Sequence, residues 1–207
     1  MESYVRGFAR RRPDVAVTMF RFANFIGPHV DTPFASYFGL PVVPTVLGHD
    51  ARLQFVHEDD GLEVIRRATV EDRPGTYNVA GDGVLMLSQA LRVAGKAALP
   101  VPTPAVGLVG SWLRRAGLAD FSPEQIRFLT YGRALDCTKL RDRYGFTPTY
   151  STHDAFVEFV HERGLDQQMP KHRVEAMERG IAHALGTSTR SEAALSARLR
   201  EEATGRA

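Results

Sequence analysis

Two apolar runs mark the strands of a buried sheet. Val15 to Phe20 is β-branched, aromatic or otherwise apolar throughout, apart from Thr18, and Thr76 to Ala80 is a second, shorter run. A nearly unbroken apolar run of this length, following a helical pattern, is typical of a strand that is covered on both faces in a parallel α/β sheet. We therefore predict that these two segments are parallel strands of one sheet.

Apolar residues spaced for helices occupy much of the remaining chain. In the first predicted helix, Glu2 to Arg12, Tyr4, Val5, Phe8 and Ala9 form one stripe, which we expect to pack on the sheet. Further predicted helices are Pro33 to Phe38 with Thr32 as its cap, Leu62 to Thr69, Gln89 to Gly95 after Ser88 as its cap, Val106 to Ala116, Pro123 to Leu129 after Ser122, Thr138 to Tyr144, and a last one from Ser151 or Thr152 to Arg163.

Local signals add detail to this outline. Leu40 to Leu47 contains two prolines, which confine it to a sheet edge or a loop, and with a strand at Arg52 to His57 it predicts a small hairpin. Ala134 to Asp136 is predicted as a short strand. Asp59 or Asp60 is the expected cap of the helix at Leu62 to Thr69, with Leu62, Ile65 and Val64 facing inward.

Composition excludes several classes of protein. The chain has 207 residues and a net charge of +2, which is too balanced for a nucleic-acid-binding surface. Its one cysteine, Cys137, excludes an internal disulfide framework. No apolar stretch is long enough to cross a membrane and no signal peptide is present, so we expect a cytoplasmic protein that binds neither nucleic acid nor membrane.

The composition changes near residue 165. We predict one domain over residues 1 to 165 and a helical, mobile tail over residues 166 to 207, where Arg, Glu and Ala predominate. The last predicted helix of this tail has little to bury besides Leu195 and Leu199, so we expect it to fray or to dock on a partner.

Candidate chemistry gathers where the first strand ends. Ligands of open parallel sheets bind outside the carboxyl ends of the strands, which points to Phe22, Ala23 and Asn24. Arg133 stands where a cation could bind a substrate, although an arginine at such a position is more often an ordinary surface residue. His29 is better explained as a solvated loop residue, and the acidic residues after His57 are better explained by helix capping than by a metal site.

Four motifs together resemble one enzyme family. R-F-A-N-F-I-G-P (Arg21 to Pro28) resembles the L-R-x-x-N-x-x-G-P stretch of the extended short-chain dehydrogenase/reductase family, the NAD-dependent epimerase/dehydratase group that works largely on nucleotide sugars. Q-F-V-H-E-D-D (Gln54 to Asp60), G-T-Y-N-V-A-G (Gly75 to Gly81) and G-F-T-P-T-Y-S-T (Gly145 to Thr152) follow in the family's order. The resemblance covers Glu2 to Gly164.

The resemblance implies a fold, a cofactor and a ligand. The fold would be α/β, with the last strands of a partial Rossmann-like parallel sheet, a small mixed α/β substrate-side lobe and C-terminal helices. NAD or NADP would be the cofactor, contacted by Phe22 and Ala23, and a small molecule such as a nucleotide sugar would be the substrate, contacted by Asn24, Arg52 and Arg133. The family uses an arginine near Arg52 to grip the diphosphate, and Arg52 stands one residue before that position.

Two family features are missing from the sequence. It does not contain the family's G-x-x-G-x-x-G turn, since Gly81 and Gly83 stand without a third glycine. It also does not contain the family's catalytic Tyr-x-x-x-Lys pair, because no tyrosine is followed by a lysine four residues later. The match is thus to the C-terminal half of the family, and we assign no catalytic residue. A half sheet would leave an unpaired edge, so we expect the chain alone to be inactive and either poorly soluble, oligomeric or marginally folded, with the upstream half restoring it.

Three hypotheses remain open from the sequence. The first is the substrate-side part of an NAD(P)-dependent epimerase, dehydratase or reductase. The second is a non-catalytic relative that keeps the fold as a ligand-binding or scaffold protein. The third is an interaction module that works through its terminal helix.

Overall fold

The computed structural model describes residues 1–40, 42–104, 106, 107, 110, 111 and 123–166. The helices are α1 (Glu2–Arg11), α2 (Pro33–Gly39), α3 (Glu58–Val70), α4 (Leu87–Val93), α5 (Pro123–Tyr131) and α6 (Thr152–Glu162), and a π-helical turn covers Leu140–Tyr144. The strands are β1 (Thr18–Phe22), β2 (Asn24–Ile26), β3 (Val42–Val46), β4 (Arg52–Leu53), β5 (Phe55–His57), β6 (Gly75–Val79), β7 (Leu85–Met86) and β8 (Ala97–Val101). The predicted α/β class is confirmed.

One long extended segment changes partner halfway. β1 pairs in parallel with β6, as the apolar runs predicted, although β1 extends from Thr18 to Phe22. The N–H of Ala23 still donates to the carbonyl of Val79 at 2.9 Å, and the next residue begins β2, which pairs in parallel with β5. The chain therefore runs past β6 and continues beside β5, and Ala23 marks the point of exchange.

The predicted hairpin is wrong. β3 pairs in parallel with β8, whereas β4 pairs antiparallel with β7. The reason lies in the loop between β3 and β4, where the Asp50 carboxylate accepts hydrogen bonds from the backbone N–H of Ser88 at 2.9 Å and from its hydroxyl at 2.7 Å. These bonds hold the chain beside β7 and α4. They also engage both the N–H and the hydroxyl of Ser88. Because α4 begins at Leu87, Ser88 lies inside the helix and is not its cap.

Helix α3 begins earlier and faces differently than predicted. Its N-cap is His57, whose Nδ1 accepts from the N–H of Asp59 at 3.2 Å, and neither Asp59 nor Asp60 is the cap. Gly61 lies against the ring of Phe25, so the buried side of α3 is the one that carries Asp60 and Val64. Leu62 and Ile65, predicted to face inward, are 66% and 44% exposed.

Helix α1 ends one residue before the predicted end, at Arg11, and it buries no residue. Tyr4 is 74% exposed, and its neighbour on the stripe, Phe8, is 38% exposed, so the expected packing of the stripe on the sheet is wrong. Val5 and Ala9 instead border an open groove of about 570 Å³ whose other wall includes Val15 and Met19. The groove separates the helix from the chain that leads into β1.

The C-terminal part of the described chain agrees closely with the sequence. Thr32 caps α2 through its hydroxyl, which accepts from the N–H of Ala35 at 3.2 Å, and Ser151 caps α6 in the same way. Gly145 ends the π-helical turn with φ of 74°, a conformation that suits glycine. Helical spacing predicts one apolar face on α6, made of Ala155, Phe156, Phe159 and Val160, and all four are buried. Phe156 stacks on Phe55 at 5.7 Å between ring centroids.

One predicted strand does not form, and two predicted helical segments fall largely or wholly outside the described residues. Residues 134 to 136 form no strand, since their segment is held by side chains of Gln54 and Asn78. The predicted helix at Val106 to Ala116 falls largely outside the described residues, and the tail beyond Asp166 falls wholly outside them. Within the described part, no helix has both the length and the apolar character needed to span a lipid bilayer.

Candidate functional site

The carboxyl end of β1 opens onto a small cleft. Phe22, Ala23 and Asn24 line it on one side, and the facing residues are Gln54, Phe128, Arg133 and Leu135. The structure thus brings together four of the five residues that the sequence nominated, Phe22, Ala23, Asn24 and Arg133. Their binding role stays a prediction.

The change of strand partner explains why a cleft forms here. After Ala23 the chain leaves β6, and beyond β6 the N–H of Gly81 donates to the carbonyl of Phe55 at 2.7 Å. β5 therefore lies between β2 and the segment that follows β6. Phe22, Ala23 and Asn24 line the cleft at this junction, and the carboxyl ends of strands are where ligand sites form in open parallel sheets.

Gln54 connects the segments around the cleft, and sequence reasoning missed it. Its side chain is largely buried, at 7% exposure for the residue, and its Nε2 donates to the carbonyl of Gly81 at 3.0 Å. Its Oε1 accepts from the N–H of Leu135 at 2.7 Å. The sequence held one signal, because a glutamine stands between the apolar Leu53 and Phe55 in a segment predicted to be a strand.

A second, larger cavity adjoins the cleft. Its volume is about 360 Å³ and it is lined by Arg127, Phe128, Tyr131, Gly132 and Arg133. Arg127 and Tyr131 are four residues apart on α5 and therefore share a face of that helix. Neither residue was predicted from the sequence, although their spacing next to Arg133 could have indicated them.

The two arginines of this cavity have no acidic partner in the described part of the chain. Arg127 and Arg133 are exposed, and no side-chain hydrogen bond or ion pair joins either of them to another described residue. Guanidinium groups without a carboxylate partner are suited to bind phosphate or carboxylate in a bidentate manner. The cavity therefore offers two cations and an exposed tyrosine ring to an anionic ligand.

Arg52 lies beside this cavity without lining it. The backbone N–H of Arg133 donates to the carbonyl of Arg52 at 2.9 Å, and Gly132 forms a β-bridge with Arg52. The Arg52 side chain is exposed and borders neither the cavity nor the cleft. Of the two arginines nominated from the sequence, Arg133 is the one on the cavity wall.

The described residues do not form a dinucleotide cradle. The cleft beside Phe22 and Ala23 measures about 30 Å³, the space of one water molecule, which is too small for a nicotinamide ring. The sequence also lacks the glycine-rich turn that lets a backbone approach a pyrophosphate. These residues could at most contact one edge of such a cofactor, so no chemical step is assigned to it here.

Nucleophilic and metal chemistry find little support at the cleft. Burial raises the pKa of the Cys137 thiol, which keeps this residue protonated at neutral pH. His29, predicted as a solvated loop residue, is 87% exposed and its Nδ1 lies 2.9 Å from Oε1 of Glu58. Among the residues described, no group of three or more His, Cys, Asp or Glu side chains is placed to hold a metal ion.

Sequence comparison finds relatives that are at least about twice as long as this chain. No family model matches the chain. The chain is 44% identical over 178 residues to Uncharacterized protein Rv0501 of Mycobacterium tuberculosis, an alignment that covers 86% of this chain and 47% of that protein. The chain therefore spans about half the length of the curated relatives it matches.

Structural comparison finds enzymes with the same arrangement of elements. The dTDP-glucose 4,6-dehydratase of Bacillus anthracis in complex with NAD superposes with a TM-score of 0.54 at 13% identity, covering 81% of this chain and 50% of that one. The UDP-glucose 4-epimerase of Thermotoga maritima with UDP-glucose gives 0.52 at 17% identity, covering 81% and 52%. At such identities the likeness establishes the fold, so the chain has a Rossmann-like α/β fold of the kind found in these epimerases and dehydratases.

Proposed function

We propose that this chain is the substrate-side portion of an NAD(P)-dependent epimerase, dehydratase or reductase that acts on a nucleotide sugar. One observation carries the proposal: Arg133, which lines the small cleft beside Asn24 at the carboxyl end of β1, also lines the adjoining cavity of about 360 Å³. The fold that holds them is shared with a UDP-glucose 4-epimerase and a dTDP-glucose 4,6-dehydratase. The substrate-binding roles of both residues are part of the proposal.

The chemistry of the site suits the diphosphate of such a ligand. Two phosphates carry negative charge, and the exposed guanidinium groups of Arg127 and Arg133 meet it without competition from a described carboxylate. The ring of Tyr131 forms part of the same cavity and offers a surface for a base or sugar ring. Asn24 has both a donor and an acceptor, the combination that recognises sugar hydroxyl groups.

Calorimetry tests the ligand. We expect UDP-glucose and UDP to bind the chain and free glucose not to bind, because the diphosphate supplies the charge. Arg133→Ala should weaken UDP binding roughly tenfold, the loss expected for one charge-assisted pair. Arg92→Ala, a change of another exposed arginine on α4, is the matched control and should have no effect. Equal UDP affinity in the wild type and Arg133→Ala would refute the assigned site.

A second candidate is a non-catalytic ligand-binding or scaffold protein. The absence of both the glycine-rich turn and a Tyr-x-x-x-Lys pair from the 207 residues favours it over a self-sufficient enzyme. Under either candidate we expect the isolated chain to bind UDP without oxidising or reducing NAD(P). Turnover of NAD(P)H above background with any nucleotide sugar would contradict this expectation. Turnover that appears only with an added glycine-rich half supports the first candidate over the second.

A further inference from the structure

We infer that Gln54 is a positioning residue that holds Arg133 at the ligand cavity. The inference rests on the proposed function, since it assumes that Arg133 binds an anion. Gln54 is not among the residues that the sequence or the resemblance nominated for ligand binding. Its carboxamide instead acts through the chain segment on which Arg133 stands.

Two hydrogen bonds, whose donors stand two residues apart, support the inference. The N–H of Arg133 donates to the carbonyl of Arg52 at 2.9 Å, and the N–H of Leu135 donates to Oε1 of Gln54 at 2.7 Å. The donors stand at alternate positions of one segment and the acceptors at alternate positions of the other. The first acceptor is a backbone carbonyl and the second is a side chain. The side-chain carboxamide of Gln54 thereby continues a pairing of the two segments that the backbone carbonyl of Arg52 begins.

The use of a side-chain acceptor in place of a backbone carbonyl explains why no strand forms after Arg133. A backbone carbonyl of Gln54 in the place of its side chain would draw the two chains into an ordinary ladder, about 4.8 Å apart. The side chain holds them farther apart. Arg133 and Leu135 therefore stand at the mouth of the cleft, where both residues line it.

Only a carboxamide meets the demands of this position. The acceptor end serves Leu135, and the donor end serves the carbonyl of Gly81, which also accepts from the Thr152 hydroxyl at 3.1 Å. A carboxylate would repel the Gly81 carbonyl, and an apolar side chain would leave the Leu135 N–H without its acceptor. Gln54 is buried at 7% exposure, so water does not readily replace either bond.

A double-mutant cycle separates positioning from general stability. Inorganic pyrophosphate is titrated calorimetrically into four forms of the full chain: wild type, Gln54→Met, Arg133→Ala and the double variant. We expect Gln54→Met to weaken binding roughly fivefold, the loss of about one neutral hydrogen bond. The double variant should bind no more weakly than Arg133→Ala alone, because a misplaced Arg133 and a missing one are equivalent. Effects that multiply across the cycle would overturn the inference.

Two controls complete the experiment. Gln89→Met makes the same chemical change at a glutamine of α4 whose Oε1 accepts from the N–H of Met86, and it should leave pyrophosphate affinity unchanged. Gln54→Asn keeps the carboxamide but shortens it by one methylene; it serves if Gln54→Met does not fold, and it should also weaken binding. Full wild-type affinity in Gln54→Asn would overturn the inference.

The failure of the inference is distinguishable from that of the proposed function. If the wild type and Arg133→Ala bind pyrophosphate equally, the anion site itself is refuted. Hydrogen exchange at the Leu135 amide then still tests the tie, since we expect it to accelerate at least tenfold in Gln54→Met and to stay unchanged in Gln89→Met. Unchanged exchange in Gln54→Met would show that Gln54 does not hold this segment.

Discussion

Asp60 and Tyr150 are joined across the fold by a hydrogen bond in which the backbone N–H of Tyr150 donates to Oδ2 of Asp60 at 3.0 Å. The other oxygen, Oδ1, accepts from the N–H of Thr149 at 2.8 Å. Asp60 is 3% exposed and stands in the first turn of α3. One buried carboxylate therefore fixes the loop that leads into α6, and with it the position of α6 on the sheet.

Replacing this carboxylate should destabilise the chain. Asp60→Asn keeps the shape but places an NH₂ group against one of the two backbone donors, so we expect the free energy of unfolding to fall by about 2–3 kcal/mol. Asp59→Asn is the matched control, because its side chain is 70% exposed and binds no loop. It should change stability by less than about 1 kcal/mol. Urea denaturation measures both, and equal effects of the two changes would refute the assigned role.

The apolar elements around Asp60 could be predicted from the sequence, whereas the role of Asp60 itself could not. Nearly unbroken apolar runs predicted β1 beside β6, and helical spacing predicted the buried face of α6, because both depend on apolar burial that is visible in a short window. The role of Asp60 depends on a loop some 90 residues away. From the sequence, an acid at the start of a helix is explained by capping, and the long-range bond that decides its role leaves no local sign.

The candidate site shows the same division. Phe22, Ala23 and Asn24 were predicted because the end of a parallel strand is a position that local pattern can identify. Gln54 and Arg127 were missed, since their importance arises from the meeting of three distant segments. The strand expected after Arg133 was wrong for the same reason, because the Gln54 side chain occupies the place of a backbone partner.

Gly132 offers a test of how closely Arg52 and the cavity wall approach. Gly132 has φ of 73°, and a Cβ added to it would overlap the backbone of Arg52. We expect Gly132→Ala to lower the free energy of unfolding by roughly 3 kcal/mol or more and to weaken UDP binding. Gly48 has φ of 79° with nothing near its Cβ position, so Gly48→Ala should show only the conformational strain, about 1 kcal/mol. Thermal melts with equal shifts for both variants would contradict the close approach.

Tyr37 predicts a dependence of stability on alkaline pH. Its hydroxyl donates to the carbonyl of Pro44 at 2.9 Å, and burial raises the pKa of this phenol above its usual value of 10. Above about pH 10 the unfolded chain releases this proton while the folded chain retains it, so the free energy of unfolding should fall as the pH rises.

Tyr37→Phe removes the titrating group. We expect this variant to lose about 1 kcal/mol at neutral pH, from the missing hydrogen bond, and to show a shallower decline of stability above pH 10 than the wild type. Tyr4→Phe, at a residue that is 74% exposed, should leave both quantities unchanged. Urea denaturation in steps from pH 8 to about pH 11 measures the slopes. Parallel slopes for the wild type and Tyr37→Phe would show that other groups govern alkaline unfolding.

The exposed apolar surface around α1 leads to a prediction about association. In the described part of the chain β1 pairs with β6 alone, so its other edge presents unpaired backbone groups. Beside it, α1 buries no residue, and Tyr4, Phe8 and Val15 are 74%, 38% and 38% exposed. Free strand edges pair with other chains, and apolar surface left in water costs roughly 25 cal/mol for each Å².

We therefore expect the chain made alone to self-associate through this surface. Size-exclusion chromatography should show oligomers, and a Tyr4→Glu and Phe8→Glu double variant should shift them towards the monomer. Val157→Glu, at a residue of α6 that is 40% exposed, adds charge away from α1 and should not. Supplying a partner half that carries the glycine-rich turn should compete with self-association, because it offers β1 a strand and α1 a cover. A monodisperse wild-type monomer with a sharp, high thermal transition would show instead that the chain closes its own core, and it would favour a self-contained binding protein over half of an enzyme.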